Sequence, residues 1–190
     1  MFVKHGFKSW CERASVSYRK SLALEAAAPL PPAKLAEYLN VVLTTPKDIT
    51  GLSQQSQDLL TVKESSSWSA VTLSFGEKNI VIYNSSHATS RQSNDIMHEL
   101  SHIILSHQPQ QMHSYDLGML LRHYNQEQEE EADWLAGVLL LPRDALIKIK
   151  FSKTDHDQAA KFYGASKRLL DWRLNATGVN SIYRKKTQFA

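Results

Sequence analysis

The chain has little of what disulfide-stapled, fibrous or membrane proteins need. It carries one cysteine, Cys11, so no intramolecular disulfide framework can hold it, and a lone thiol fits a reducing compartment such as the cytoplasm. Glycine (7) and proline (6) are sparse, which excludes collagen-like and Pro/Gly low-complexity chains. The longest apolar run, LAGVLLLP at 135–142, falls far short of the roughly 20 residues that span a bilayer. The N-terminal stretch is interrupted by polar residues every few positions and offers no apolar segment of signal-peptide length, so no secretion is expected. Charge of one sign is also lacking. The 22 Lys and Arg against 19 Asp and Glu leave +3, and only YRKK at 183–186 is locally basic, so no strong polyanion-binding field is implied. What is present is 42% hydrophobic content over 190 residues, enough for one well-buried core in a soluble, cytoplasmic protein.

Periodicity places the elements. Phe7, Trp10, Cys11, Ala14 and Tyr18 recur at spacings of three and four, predicting an amphipathic helix with that face inward and Cys11 buried. It ends before APLPP at 28–32, where a proline suits the first turn of a second helix with Leu35, Tyr38 and Leu39 inward. VVLTT reads as a strand, and the Ser/Gln-rich 52–67 segment as a loop with a short helix or strand. WSAVTLSFGEKNIVIYN reads as a hairpin turning at Gly76, Glu77 and Lys78. From about Ser90, Ile96, Met97, Leu100, Ile103 and Ile104 fall at helical spacing, with Ser and Asn residues available as caps.

That last helix contains HELSH, residues 98–102. Residues four apart lie one turn above each other, so His98 and His102 can aim ring nitrogens at one point about 2.0 to 2.1 Å from a zinc ion, with Glu99 beside them to act on water. The third histidine of a metzincin is missing, since that position is Gln108, and His107 reads as a helix-end residue whose charge suits the C-terminal dipole. Two ligands hold zinc weakly, so a third is sought in the acidic run QEQEEEADWLAGVLLLP. At about 100° per residue, Glu129 shares a face with Ala132, Asp133, Ala136 and Leu140, and Glu131 one with Trp134, Leu135 and Val138. The small residues on the first face allow close helix approach and favour Glu129. Asp133, one turn on, is placed to hydrogen-bond the outer nitrogen of a zinc-bound histidine, and Glu127 and Glu130 read as solvated.

HELSH followed by EEEADWLAGVLLLP resembles the ImmA/IrrE family of gluzincin-type metallopeptidases. PLPPAKLAEYLNVVLTTP, the hairpin and HDQAAKFYGASKRLLDWRLNATG are similar to further family segments, so that roughly residues 28–180 are covered. The resemblance implies zinc ligands at His98, His102 and Glu129, and Glu99 as the catalytic carboxylate. Trp134 and Leu135 depart from the pattern, in which many relatives have a polar residue and then an aromatic one. The implied architecture is α+β and zincin-like, with N-terminal helices, a small antiparallel sheet, a central HExxH helix and a C-terminal helix-turn-helix-like subdomain. The expected division is a metallopeptidase domain at 1–148 and a helical subdomain at 149–190 packed on it. The implied activity is limited, site-specific cleavage of a regulatory protein, typically a helix-turn-helix transcriptional repressor, in stress, DNA-damage or mobile-element control. One Zn2+ per chain is expected, with Mn2+ as a substitute.

Glu99 is expected to take a proton from water and deliver it to the leaving amine. An oxyanion donor is sought among His113, Tyr115, His123 and Tyr124, and spacing assigns none of them. A hairpin strand at the sheet edge offers β-augmentation for an extended peptide. The alternative reading rests on the C-terminus. Ala159, Ala160 and Phe162, a turn at Gly164, then Leu169, Leu170 and Leu174 form a helix-turn-helix pattern, and Lys161, Lys167, Arg168, Arg173 and the Arg184 to Lys186 patch offer phosphate contacts. That pattern would suit a DNA-binding regulator or a toxin-antitoxin-type interaction module.

Overall fold

Among the described residues, runs rich in β-branched and aromatic side chains form three strands, β1 (Val41–Thr44), β2 (Ala70–Phe75) and β3 (Lys78–Tyr83). The structure, a computed structural model, describes residues 4–75, 78–108 and 125–188. β2 and β3 pair antiparallel from Ala70↔Tyr83 to Phe75↔Lys78, as a hairpin requires, although the expected turn residues Gly76 and Glu77 lie outside the described residues. The sheet is not antiparallel throughout. β1 pairs parallel to β3, from Val41↔Asn79 to Thr44↔Ile82, giving the order β1-β3-β2. A parallel neighbour needs a long crossover rather than a turn. The chain between β1 and β3, which includes β2, supplies it, and before β2 it forms a 3-10 turn (Pro46–Asp48), α3 (Gln54–Asp58) and a π-helical turn (Leu59–Lys63) where a loop with a short helix or strand was expected. β2 is left at the sheet edge.

The helices are α1 (Phe7–Ser21), α2 (Pro32–Tyr38), α4 (Thr89–Ile104), α5 (Gln126–Leu140), α6 (Arg143–Phe151), α7 (His156–Phe162), α8 (Lys167–Ala176) and α9 (Val179–Gln188). The expected domain boundary at 148 falls within α6, and one buried cluster runs from Cys11 to Val179. Met97 and Leu100 of α4 and Leu135 and Leu139 of α5 all belong to this core and are fully enclosed, each side chain worth about 1.5–3 kcal/mol of burial. α4 covers β2 and β3. Gly137 allows α8 close to α5: an added Cβ there would lie 3.0 Å from the Trp172 ring.

Several inward faces are rotated from expectation. On α1 the buried residues are Cys11, Ser15 and Arg19, while Trp10 is exposed. Tyr38 on α2 and Phe162 on α7 are also exposed. The α1 face is explained by α5, whose last carbonyls have no partner within the helix. Ser15 donates to the Val138 carbonyl (3.2 Å), Arg19 to Leu139 (2.8 Å) and Arg173 to Leu141 (3.1 Å). Burial pulls the Arg19 guanidinium down to about 10, which leaves it charged at neutral pH. Arg173 is fully buried and bonded to Glu12 at 2.6 Å, so it is a structural cation and not the phosphate contact expected of it. Lys167 is bonded to Asp157 at 2.7 Å, and the side chains of Arg184 to Lys186 lie outside the described residues.

Candidate metal centre

α4 begins without the expected Ser or Asn cap. Its first position is preceded by Ala88, and the Gln92 side chain donates to the Ser85 and His87 carbonyls of the preceding loop, which ties that loop to the helix without capping it. From there the apolar residues turn Met97 and Leu100 into the core, and the same phase leaves His98, Glu99 and His102 facing β2 and α5. α5 starts with a capping box: the Asn125 side chain accepts from the Gln128 amide (2.9 Å), and the Gln128 side chain accepts from that of Asn125 (3.3 Å). Glu129 therefore sits in the first turn of α5, beside the histidine pair.

The two histidine Nε2 atoms are 3.0 Å apart. Glu129 Oε2 lies 3.2 Å from His98 Nε2, and its Oε1 lies 3.8 Å from His102 Nε2. These three residues form a group whose ligand atoms all lie within 4.8 Å of one another. With Ala70, Val71, Thr72 and Glu99 they line a cavity of about 160 Å³. Asp133, predicted to steady a ligating histidine, places Oδ1 2.8 Å from His98 Nδ1. An imidazole that gives its Nδ1 proton to a carboxylate keeps a lone pair on Nε2, the form a metal takes.

The electrostatics suit a cation-binding site. Burial depresses the His98 imidazolium, but the hydrogen bonds it donates to Asp133 and Glu129 outweigh it and raise the group to about 10. Burial, then the adjacent charge of His98, hold His102 down to about 3. The pair thus carries one positive charge, on His98, in the place where two neutral imidazoles and a carboxylate would hold a divalent metal. The donor set, two nitrogens and one carboxylate oxygen beside the cavity, would suit a divalent metal.

Three features escaped the sequence reading. Thr72 on β2 donates its hydroxyl to Glu99. His107 does not stay at the helix end as a free dipole partner: its Nδ1 lies 2.9 Å from His102 Nδ1, and its Nε2 lies 3.2 Å from Glu131 Oε2. Glu131 is in turn almost buried on the face of α5 that carries Trp134, Leu135 and Val138. That apolar face was the available signal, because a carboxylate placed among such residues needs a partner. The four oxyanion candidates, His113, Tyr115, His123 and Tyr124, lie outside the described residues.

The cavity extends along α4. A second hollow of about 280 Å³ shares Ala70, His98 and Glu99 with the first and adds Asn94 and Asp133. Asn94 and Asp133 also border a third, of about 470 Å³, against Arg168, Leu169 and Trp172 of α8. Among the described residues, no helix is long and apolar enough to cross a membrane. A family model, peptidase M78 with the description IrrE N-terminal-like domain, matches residues 54–175. No curated protein matches the chain.

Proposed function

The chain belongs to the peptidase M78 family and carries its metallopeptidase-like domain, and from that premise we propose that it is a zinc-dependent endopeptidase of the cytoplasm. The observation that carries the proposal is the convergence of His98, His102 and Glu129 on one point, with Glu99 alongside in the same cavity. His98, His102 and Glu129 would hold one zinc per chain, with manganese as a substitute. When bound, zinc supplies Lewis acidity to the scissile carbonyl and to water.

The protein's own residues do the rest. Glu99 accepts a proton from the attacking water as the C–O bond forms and returns it to the amine nitrogen as the C–N bond breaks. The Thr72 hydroxyl orients the Glu99 carboxyl for both transfers. The outer edge of β2, next to the cavity, offers backbone groups to an extended peptide, and the hollows along α4 continue the path toward α8. An edge strand beside these hollows supports cleavage of an extended segment at a defined site. The family resemblance supports a regulatory protein, a helix-turn-helix transcriptional repressor, as the substrate, in stress, DNA-damage or mobile-element control.

The test uses purified full-length chain, its metal measured by mass spectrometry, with a degenerate peptide library as substrate. One zinc per chain and library cleavage are expected in the wild type. Glu99→Gln should keep the zinc and lose cleavage, whereas His98→Ala and Glu129→Gln should lose both. A wild type that takes up no zinc when the metal is added back, or a Glu99→Gln variant that still cleaves, rejects the proposal.

A further inference from the structure

The chain leaves α4 through a turn that folds one of its own side chains back onto the metal centre. Ser106 adopts φ 54°, the left-handed region that a non-glycine residue takes at a cost. The Ser106 amide donates to the Ile103 carbonyl (3.1 Å) and the His107 amide to His102 (3.0 Å), the paired bonds of a Schellman ending. The result is a His107 ring whose centroid lies 5.0 Å from that of His102, with the two Nδ1 atoms 2.9 Å apart. On its far side His107 meets Glu131, and the two side chains are only 7% and 12% exposed.

We propose that Glu131 and His107 form a hydrogen-bonded relay that fixes the tautomer of His102 and so presents its Nε2 lone pair to the metal centre. The proposal rests on the reading of His98, His102 and Glu129 as metal ligands, and Glu131 and His107 are positioning residues in it. The direction follows from donor counting. An ionised carboxylate only accepts, so His107 carries its proton on Nε2, facing Glu131. A neutral imidazole has one N–H, so His107 Nδ1 accepts, and the proton shared across the 2.9 Å contact belongs to His102 Nδ1. His102 Nε2, which faces His98 Nε2 and Glu129, is then a lone pair. The opposite order would put a proton on His102 Nε2, inside the ligand cluster, and close the site.

The two metal histidines are thus set by different devices. His98 is held directly by Asp133, a side chain 70% exposed, whereas His102 is held through an enclosed imidazole that in turn meets the Glu131 carboxylate. The simpler alternative is a buried ion pair of Glu131 with doubly protonated His107. Both His107 nitrogens would then donate, and His102 Nδ1 would have to accept, which is incompatible with Nε2 ligation.

Long-range 1H–15N correlation on 15N-histidine-labelled full-length chain reads these tautomers directly, without metal and with zinc chloride. The expected wild-type pattern is Nδ1–H on His102 and Nε2–H on His107. Glu131→Gln, whose amide donates as well as accepts, releases the order and moves part of His102 to the Nε2–H form. Its zinc affinity, measured by competition with a chelating dye, should fall about 10- to 100-fold, the effect usual for such outer partners. Glu131→Asp should recover much of that loss, and Glu127→Gln on the exposed side of α5 should alter neither readout. Nε2–H on His102 in the metal-free wild type, or unchanged tautomers and affinity in both Glu131→Gln and His107→Phe, overturns the relay. A wild type that binds no zinc would reject the ligand reading instead, and the metal-free tautomers would still decide the relay.

Discussion

Thr72, at the edge of the sheet, donates its hydroxyl to Glu99 on the helix that covers the sheet. The pairing Thr72↔Val81 explains why: opposed residues on antiparallel strands share a face, and both are buried beneath α4. Thr72→Val keeps the volume and removes the donor. A hydrogen bond to a charged group is worth about 1.5–3 kcal/mol. If Glu99 serves as the proton carrier, kcat on a cleaved library peptide should drop about tenfold or more, with zinc content unchanged. Thr72→Ser should retain most of the rate. An unchanged kcat in Thr72→Val would remove Thr72 from the mechanism.

Zinc uptake should expel a proton. The His98 imidazolium, raised to about 10 from an ordinary value of 6.5, holds its proton at neutral pH, while His102, near 3, is already neutral. A raised folded-state value means that this proton stabilises the metal-free fold fully below pH 6.5, and that the contribution is lost as pH rises through 10. Zinc needs the same nitrogen, so affinity should climb about tenfold per pH unit between about pH 7 and 8.5, with about one proton released per ion. Titration calorimetry in buffers of differing ionisation enthalpy measures the count. A count near zero would show that the histidine pair holds no proton to displace.

The C-terminal end of α5 should be as sensitive to substitution as its N-terminal end. Arg173 is fully buried, with Nε on the Leu141 carbonyl and a terminal nitrogen on Glu12, whose other oxygen accepts from the Arg143 amide at the start of α6. Glu12→Ala leaves a buried guanidinium without its counter-charge, a change that costs about 3 kcal/mol or more. At about 2–4 °C per kcal/mol for a chain of this size, the melting temperature should fall by about 10 °C. Urea titration should show the same loss at an unchanged slope. A shift below about 2 °C would mean that the pair contributes little and that packing alone holds this corner.

These residues also mark what can be read along a chain and what cannot. HELSH, the hairpin and the acidic start of α5 were legible because each rests on contacts within one helix or between adjacent strands. The side of α1 that faces inward was not. Ser15 and Arg19 are polar and score as exposed by periodicity, yet they are buried because the α5 carbonyls, over a hundred residues later in the chain, need donors. The parallel partner of β3 was hidden for the same reason: β1 lies across a long crossover and leaves no local signal. Glu131 was half legible. Its face among Trp134, Leu135 and Val138 was read correctly, but the partner that such a position demands comes from the His107 turn, which depends on a left-handed Ser106 that no periodicity indicates.

The single thiol provides an internal gauge of the α1–α5 packing. Cys11 is fully buried, and burial, followed by the nearby Glu12 charge, pushes it up to about 12, so at neutral pH it is neither accessible nor ionised. The native protein should therefore resist a disulfide-exchange reagent such as dithionitrobenzoate, and should react with one equivalent once urea unfolds it. Labelling then reports the fraction of time that α1 is open. If zinc binds the folded site alone, free zinc at about 100 times its dissociation constant should add about 2.7 kcal/mol of stability and slow labelling through global opening about 100-fold. Zinc that fails to slow the reaction would mean that Cys11 is exposed by a local opening of α1 that leaves the metal centre intact. Rapid labelling of the native chain without urea would mean that α1 does not pack as described.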